Sequence, residues 1–306
     1  MPTESENEVR TGVLAATAAY LMWGFFPLYF IVLRGVPSAE LLVHRILFSV
    51  PLGLAIILMR GQWSEVRRGL SDIRILTALA VSSVFIAANW LVYIIAVQHQ
   101  HIFQASLGYY INPLIYVLVG VVLLGERLRP GQITAVALAT VGVLILTVYG
   151  GTFPVVSLTL AISFTIYGYV RKRASIGAMP GLFIETVLLA PIAAVALFFM
   201  VTRGDAAIET AGPGLVLLLA FAGPATVIPL LCFAIGARRL TLATLGFLQF
   251  IGPTIQFLIG LADGEPFTFA HKLCFGFIWS AAAIFAWDAW RTHARPMRPA
   301  PVGEVD

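Results

Sequence analysis

The sequence is poor in charged residues and in cysteine. Only 11% of its 306 residues are charged and 59% are hydrophobic, whereas soluble domains carry roughly 25% charged residues. This scarcity of charge excludes an ordinary soluble domain. The two cysteines, Cys232 and Cys274, both fall inside long apolar runs. We therefore expect no disulfide framework and interpret both thiols as small packing residues.

Motifs for catalysis and metal binding are also missing. The sequence contains no His-Glu-x-x-His motif, no Gly-x-Ser-x-Gly elbow and no phosphate-binding glycine loop with lysine. His99 and His101 share one loop, but two loop histidines make a weak metal motif. We expect no enzyme, no metal and no cofactor. A membrane-embedded enzyme without a recognisable motif remains an alternative.

Long apolar runs dominate the rest of the chain. Runs of about 20 residues are long enough, as helices, to cross the hydrocarbon core of a bilayer. They are continuous rather than alternating, which argues against a β-barrel. The pattern predicts an all-α polytopic membrane protein with ten transmembrane helices, near residues 11–33, 38–59, 75–97, 103–124, 130–149, 154–170, 179–202, 213–236, 241–262 and 268–290.

The distribution of basic residues predicts the orientation. Fifteen of the nineteen Lys and Arg residues fall in the two tails and in the loops on the same side of the predicted bundle. Arg34, Arg203 and Lys272 fall on the other side, and Arg45 lies within a span. This bias predicts that both termini are cytoplasmic and that the protein resides in the inner membrane. Because the charges are scattered among short loops, we expect no nucleic-acid partner.

The second half of the chain repeats the first. Residues of the first half recur 138 to 140 positions later: Arg45 and Pro51 as Glu185 and Pro191, 105–108 as 243–246, Pro113 as Pro253, and Gly125-Glu126 as Gly264-Glu265. An odd number of spans separates the partners, so the two halves face opposite ways. We predict two inverted five-helix repeats, residues 11–150 and 154–290, between cytoplasmic tails 1–10 and 291–306.

Inverted repeats of this kind predict alternating access, with a binding site at the repeat interface. Arg45 is the clearest candidate, because a charge near the middle of a span is costly and is by default functional. Its planar fork suits a carboxylate or a phosphate. Glu185 is the candidate for coupling to protons or for charge compensation. A structural role for each, as a cap or as a hydrogen-bonded acid, is the alternative.

Uncharged polar and aromatic residues complete the predicted site. They lie in the first, third, fourth and ninth spans and would give an apolar site with a few placed polar groups; they are Trp23, Asn89, Trp90, Tyr109, Asn112, Tyr116, Gln249 and Gln256. The alternative is that the aromatic rings belong to the interfacial belts. Four prolines related by the repeat, Pro51, Pro113, Pro191 and Pro253, are predicted hinges.

Two further groups receive mainly structural interpretations. Gly131, Ala135 and Ala139 form a small-residue face that favours close helix packing, with a homodimer contact as the alternative. Glu126 and Glu265 each follow a glycine in a turn and are interpreted as carboxylates that cap a nearby helix.

Several runs together resemble one known group. They are 20–27, 40–49, Asn89-Trp90, 108–113, Gly125-Glu126, Tyr167-Gly168 and Glu185 followed by Pro191. With these motifs the chain resembles the RarD group of the EamA-type drug/metabolite transporters, often described as chloramphenicol-sensitivity proteins or permeases.

The resemblance covers about residues 10–291 and implies ten helices in two EamA repeats with both termini inside. It also implies a secondary transporter, an exporter or exchanger, for small organic metabolites or drugs such as amphenicol-like or amino-acid-like solutes. The lipid bilayer and a small-molecule solute are the expected partners. A channel-like or scramblase-like protein is the other alternative.

Overall fold

A computed structural model of the chain describes residues 4–124, 128–151, 153–240 and 242–293. Within these ranges the regular structure is helical and no strand is present. The helices, with one short 3₁₀ turn at Ala207–Thr210 after α8, are α1 Glu4–Val32, α2 Ser38–Met59, α3 Trp63–Ser71, α4 Ile73–Gln98, α5 Ile102–Leu124, α6 Pro130–Val148, α7 Val155–Arg173, α8 Ala178–Thr202, α9 Pro213–Ala237, α10 Leu242–Leu248, α11 Ile251–Ala262 and α12 Phe269–His293.

Seven helices in the described part of the chain are long and apolar enough to cross a membrane: α1, α2, α4, α6, α8, α9 and α12. Large hydrophobic side chains on their outer faces are more than half exposed, among them Leu14, Val84, Phe198 and Leu217. Soluble monomers rarely expose contiguous apolar surface on this scale. The fold is therefore that of a helical multi-pass membrane protein, as the hydrophobic runs predict.

Local sequence explains several helix ends. The Asp72 carboxylate accepts hydrogen bonds from the backbone N–H groups of Arg74, at 2.9 Å, and Ile75, at 3.4 Å, and so caps the start of α4. Pro130 and Pro213 occupy the first turns of α6 and α9. A proline is well placed there, because the N–H group that it lacks has no helical partner at that position.

Two expectations about helix boundaries need correction. The ninth predicted span, 241–262, is not one helix, because α10 ends at Leu248 and α11 begins at Ile251. Pro253 has no N–H group to donate to the carbonyl of Gln249, four residues earlier, and this loss favours a break at that place. The first predicted span, 11–33, begins earlier in the structure, because α1 starts at Glu4.

The helices pack in pairs that bring the two halves of the chain together. α1 packs on α9 and α11, α4 and α5 pack on α7, α2 packs on α8 and α9, and α5 packs on α11. The short amphipathic α3 lies against α8 and α4. The candidate charged residues of α2 and α8 are thus carried by two helices in direct contact.

α6 and α12 form a separate, extensive contact. The small residues of α6 face it: Ala135 and Ala139 are buried, and a Cβ atom at Gly131 would lie 2.7 Å from Oδ1 of Asp288 in α12. The small-residue face therefore packs within the chain, which favours the helix-packing interpretation. The homodimer stays a prediction.

Candidate functional site

Arg45 lies inside the helix bundle between aromatic rings. Only 6% of the residue is exposed. The guanidinium carbon lies 4.2 Å from the centre of the Trp90 ring on α4 and 5.4 Å from that of Phe26 on α1. A desolvated cation over an aromatic face is stabilised by about 2 kcal/mol or more. These rings therefore hold the Arg45 guanidinium without neutralising its charge.

One polar contact fixes the orientation of this guanidinium. Nε of Arg45 donates a hydrogen bond of 2.7 Å to Oγ1 of Thr226 on α9, and Thr226 in turn donates to the Ala222 carbonyl at 2.8 Å. Among the residues that the structure describes, no carboxylate pairs with Arg45, and its two terminal amino groups have no hydrogen-bond acceptor. A buried arginine in this state offers a bidentate donor to an anion.

Three phenol groups surround the same charge. Tyr29, Tyr93 and Tyr109 all lie within electrostatic range of Arg45. The Tyr29 hydroxyl donates to the Leu218 carbonyl at 2.8 Å. The buried Tyr93 hydroxyl has no hydrogen-bond partner within the described ranges, and its ring lies 5.8 Å from that of Tyr109. Buried hydroxyls are rarely unpaired, so the Tyr93 hydroxyl is a candidate donor to a bound solute.

Glu185 occupies a different polar cluster. Its buried carboxylate accepts a short hydrogen bond from the Ser82 hydroxyl on α4, and Tyr167 of α7 lies near it. Nε of Arg171 lies 3.5 Å from Oε1 of Glu185. The other oxygen, Oε2, has no hydrogen-bond partner in the described chain. Glu185 is therefore an ion-paired carboxylate with one oxygen still available.

A glycine on α8 makes room for the Arg171 side chain. A Cβ atom at Gly181 would lie 1.9 Å from Nη1 of Arg171, far inside van der Waals contact. The same guanidinium donates to the carbonyls of Gly177, at 3.3 Å, and Ala178, at 3.2 Å, at the start of α8. Gly181 is thus a steric requirement of the Arg171–Glu185 pair.

The predicted amide residues mainly join helices. Nδ2 of Asn89 on α4 donates to the Leu160 carbonyl and to the Ser163 hydroxyl of α7, both at 2.9 Å. Oδ1 of Asn112 on α5 accepts from Thr165 of α7 at 3.0 Å. These contacts connect the fourth and fifth helices to α7, so the two amides are already engaged in helix packing.

Gln256 satisfies a carbonyl that a proline leaves free. Pro27 of α1 cannot donate to the Trp23 carbonyl four residues earlier, and Nε2 of Gln256 donates to that carbonyl at 3.1 Å. Oε1 of Gln256 is buried without a partner in the described chain. The Trp23 ring packs on Tyr20 and Phe233.

The remaining predicted residues are spread along the helices. Gln249 is half-buried in the turn between α10 and α11, and the Tyr116 side chain lies outside the described residues. Helices α2, α5 and α8 continue through Pro51, Pro113 and Pro191. Only at Pro253, among the four predicted hinges, does the structure break a helix, two residues after α11 begins.

Sequence reasoning missed several groups that contact the two charges. Phe26, Tyr29 and Thr226 are not among the predicted neighbours of Arg45. Arg171, one of the fifteen basic residues predicted in the tails and loops, pairs with Glu185. The sequence does indicate the α1 residues in part. Trp23, a predicted site residue, lies three residues before Phe26, and Phe26 lies three residues before Tyr29, so the three side chains lie on one side of the helix. No spacing in the sequence indicates the contact between Thr226 and Arg45, which are 181 positions apart.

A third polar cluster closes one end of the bundle. Arg34, after α1, forms an ion pair with Asp263, after α11. Oε2 of Glu265 accepts a 2.9 Å hydrogen bond from the Phe103 N–H in the first turn of α5. Burial raises the pKa of the Glu265 carboxyl from about 4.5 to about 7. Glu265 is therefore a capping carboxylate, although of α5 rather than of an adjacent helix; Glu126 lies outside the described residues.

Metal and redox chemistry receive no support from the described part of the chain. No group of three or more His, Cys, Asp or Glu residues with metal-binding geometry occurs there. Cys232 and Cys274 are free thiols on different helices. The groups around Arg45 are phenols, aromatic faces and a hydroxyl, and together with the buried cation they can bind a solute noncovalently.

Comparisons with known proteins agree with this picture. Residues 10–148 match the EamA-like transporter family. The chain is 43% identical over 290 residues to the protein RarD of Salmonella typhi, covering 94% of this chain and 99% of that protein. It is 30% identical over 292 residues to the chloramphenicol-sensitive protein RarD of Pseudomonas aeruginosa, with coverage of 94% and 97%.

One solved crystal structure also has a similar fold. It aligns with a TM-score of 0.61 at 20% identity and covers 93% of this chain and 99% of its own. At this level of identity the similarity concerns the arrangement of helices and not the ligand.

Proposed function

Because the chain belongs to the RarD group of the EamA-like transporter family, we propose that this membrane transporter is a secondary carrier for small organic solutes, an exporter or exchanger that works by alternating access. The observation that carries the proposal is the buried Arg45 guanidinium, which has aromatic neighbours, one hydroxyl acceptor and no carboxylate partner in the described chain. A site of this kind binds a solute with an anionic group.

Ten transmembrane segments form the proposed topology. α5 and α7 join the seven long apolar helices, and α10 with α11 forms one broken segment. The family match to residues 10–148 coincides with the proposed first repeat, 11–150. We propose the second repeat at 154–290, with cytoplasmic tails and an inner-membrane location from the distribution of basic residues.

The pattern of helix contacts supports two inverted repeats. The proposed repeat relates α1 to α7, α2 to α8, α4 to α9, α5 to α11 and α6 to α12. Under this exchange the contact of α1 with α9 becomes that of α7 with α4, and the contact of α5 with α7 becomes that of α11 with α1. All four contacts occur. Such pseudo-symmetry is the basis of alternating access, since each half can adopt the conformation of the other.

Motion in this mechanism is assigned to the proline-containing helices. The break between α10 and α11 leaves two short helices that can change their relative angle. Pro51, Pro113 and Pro191 remove backbone hydrogen bonds from α2, α5 and α8 and make bending less costly. The buried Ser106 hydroxyl, which donates to the Pro253 carbonyl at 2.8 Å, joins α5 to α11 beside this break.

Glu185 is proposed as the coupling residue. Its carboxylate has one oxygen paired with Arg171 and Ser82 and one oxygen without a partner in the described chain. A cycle in which Arg171 leaves would expose Glu185 to protonation, which links solute movement to a proton or to another cation. Asn89, Asn112 and Gln256 would then position helices, and direct contact between these amides and the solute stays a prediction.

The experiment that tests this function compares solutes released by cells. Cells expressing the wild type, Arg45→Gln or the control Arg203→Gln are matched for membrane abundance, and the culture media are profiled without a preselected target. Arg203 is an exposed residue that follows α8. We expect a small set of solutes enriched by the wild type and the control but not by Arg45→Gln.

Identical media from all three strains would contradict export that depends on Arg45. Saturation of the flux with solute concentration distinguishes a carrier from a channel-like or scramblase-like protein, because a channel conducts far faster and saturates weakly. Loss of Arg45→Gln protein from the membrane would show that Arg45 is needed for folding, and the milder Tyr93→Phe variant then replaces it in the same assay.

A further inference from the structure

The groups that face Arg45 come from four helices and none of them is acidic. α1 contributes Phe26 and Tyr29, α4 contributes Trp90 and Tyr93, α5 contributes Tyr109 and α9 contributes Thr226. The donors without a partner in the described residues include the two amino groups of the Arg45 guanidinium and the Tyr93 hydroxyl. The site is therefore complementary to a negative group, and its described residues provide no countercharge for a positive one.

The buried acids in the described part of the chain are engaged elsewhere. Glu40 on α2 accepts hydrogen bonds from the N–H groups of Ala207, at 2.8 Å, and Ile208, at 3.0 Å, and contacts His44. It lies five residues before Arg45, about 7.5 Å along the helix axis. Its carboxylate therefore serves the 3₁₀ turn after α8 rather than the Arg45 site.

The other two buried acids are also engaged away from Arg45 and cannot neutralise a cation bound there. Glu185 is paired with Arg171, and Glu265 caps the first turn of α5. An ammonium group held at Arg45 would have no carboxylate partner among the described residues, and burial of an unpaired cation is strongly unfavourable. Repulsion from the Arg45 guanidinium would add to this cost.

Aromatic rings form the rest of the surroundings. Tyr93 packs on Tyr109 with ring centres 5.8 Å apart and on Phe30 at 6.0 Å, and Tyr109 packs edge-on against Phe164 at 6.3 Å. Such a cluster offers ring edges and faces to a flat apolar group. The hydroxyls of Tyr93 and Tyr109 lie within electrostatic range of Arg45, where the charged end of the solute would lie.

We infer that the solute is an organic monocarboxylate with a flat apolar body and without an ammonium group. Its carboxylate binds the two amino groups of Arg45 and the Tyr93 hydroxyl, and its body lies against the rings of Trp90 and Tyr109. This inference rests on the proposed transport function and narrows it, because it favours carboxylates over amino-acid-like and amphenicol-like solutes.

Three probes with the same phenylethyl body separate the charge requirements. 3-Phenylpropionate has the carboxylate alone, phenylalanine has the carboxylate and the ammonium, and phenethylamine has the ammonium alone. Binding to the purified full-length protein in lipid nanodiscs is measured by titration calorimetry at neutral pH. We expect 3-phenylpropionate to bind about tenfold more tightly than phenylalanine and phenethylamine not to bind, because only the first probe leaves no buried charge unpaired.

Variants test where the carboxylate lies. Tyr93→Phe removes one hydroxyl and should weaken 3-phenylpropionate binding several-fold, while Arg45→Gln should abolish it. The control Arg203→Gln should bind as the wild type does. Because Tyr93→Phe keeps the aromatic ring, it still tests where the carboxylate binds if Arg45→Gln fails to fold.

Two outcomes overturn the inference. Phenylalanine binding as tight as 3-phenylpropionate would show that the site accepts an ammonium group. Binding of none of the three probes would also reject the inferred class. The proposed function is judged separately, because solutes whose release depends on Arg45 in the profiling experiment would still establish transport.

Discussion

Arg45 and Glu185 occupy equivalent positions on two helices that pack against each other, yet each is bound to a different partner. Both lie seven residues after the first residue of their helices, α2 and α8. Arg45 donates to Thr226 on α9, and Glu185 accepts from Ser82 on α4. Each charge is thus bound to a hydroxyl from the opposite half of the chain, so a rearrangement of the halves must change both contacts.

Thr226→Val tests the orientation of Arg45. The substitution keeps the shape of the side chain but removes the hydroxyl that accepts from Nε at 2.7 Å. A hydrogen bond to a charged group contributes about 1.5–3 kcal/mol, so we expect the apparent KM of the exported solute to rise about tenfold or more. Thr226→Ser retains the acceptor and should stay near wild type. Equal KM values for the Val and Ser variants would argue against this role.

The ion pair of Arg171 and Glu185 predicts a non-additive response. Removing one partner of a buried pair costs about 3–5 kcal/mol because the other charge is left unpaired. We expect Arg171→Gln and Glu185→Gln each to lower the unfolding temperature in detergent, and the double variant to recover much of the loss. Transport should remain impaired in the double variant if Glu185 couples transport. Recovery of transport as well would assign the pair a structural role alone.

Gly181→Ala should disturb the same pair through sterics. The new Cβ would lie 1.9 Å from Nη1 of Arg171, so the guanidinium must move away from Glu185. We expect lower thermal stability and a transport defect that resembles Arg171→Gln. Gly214→Ala in α9 is the matched control, since no heavy atom of the described residues outside its own stretch of helix lies within 4 Å of the position that its new Cβ would occupy. A stable, active Gly181→Ala protein would contradict this packing.

Pro253→Ala should change the rate of the cycle more than solute affinity. Alanine restores an N–H group that can donate to the Gln249 carbonyl, which favours one continuous helix from α10 into α11. We expect a several-fold lower maximal transport rate with a nearly unchanged KM, measured in proteoliposomes. Pro213→Ala, in the first turn of α9, is the control. A wild-type rate would place the moving element elsewhere.

Glu265 predicts a loss of stability at higher pH. Burial is the main cause that raises the pKa of its carboxyl from about 4.5 to about 7. The hydrogen bond from the Phe103 N–H opposes this rise, and the nearby Asp263 carboxylate, itself paired with Arg34, contributes to it. A raised native pKa means that the protonated form favours folding, so its contribution is complete below about pH 4.5 and is lost as pH rises through about 7. His271, whose ring lies 5.7 Å from that of Phe103, is a titratable neighbour.

The measurement is the unfolding temperature between pH 5 and 8.5. We expect the wild type to lose stability across this interval, and Glu265→Gln to lose less because its amide stays neutral and can still accept from Phe103. Glu209→Gln, at an exposed residue of the 3₁₀ turn, should follow the wild type. Parallel curves for the wild type and Glu265→Gln would exclude Glu265 as the source.

The sequence alone determined that the chain is a helical membrane protein of the RarD group and that Arg45 and Glu185 are its unusual charges. Hydrophobic run length and charge scarcity are local properties, and they are readable without knowing which helices touch. The four prolines related by the repeat can likewise be identified from the sequence alone. The break before Pro253 required the structure, because Pro51, Pro113 and Pro191 have the same chemistry within continuous helices.

Only the tertiary structure decided the partners of these residues. Thr226 lies 181 positions from Arg45, and Ser82 lies 103 from Glu185, so no local pattern could connect them. Asn89, Asn112 and Gln256 look like site residues in the sequence, yet their amides meet groups on neighbouring helices. A buried polar group must find a partner wherever packing brings one within reach, and that depends on the arrangement of all the helices.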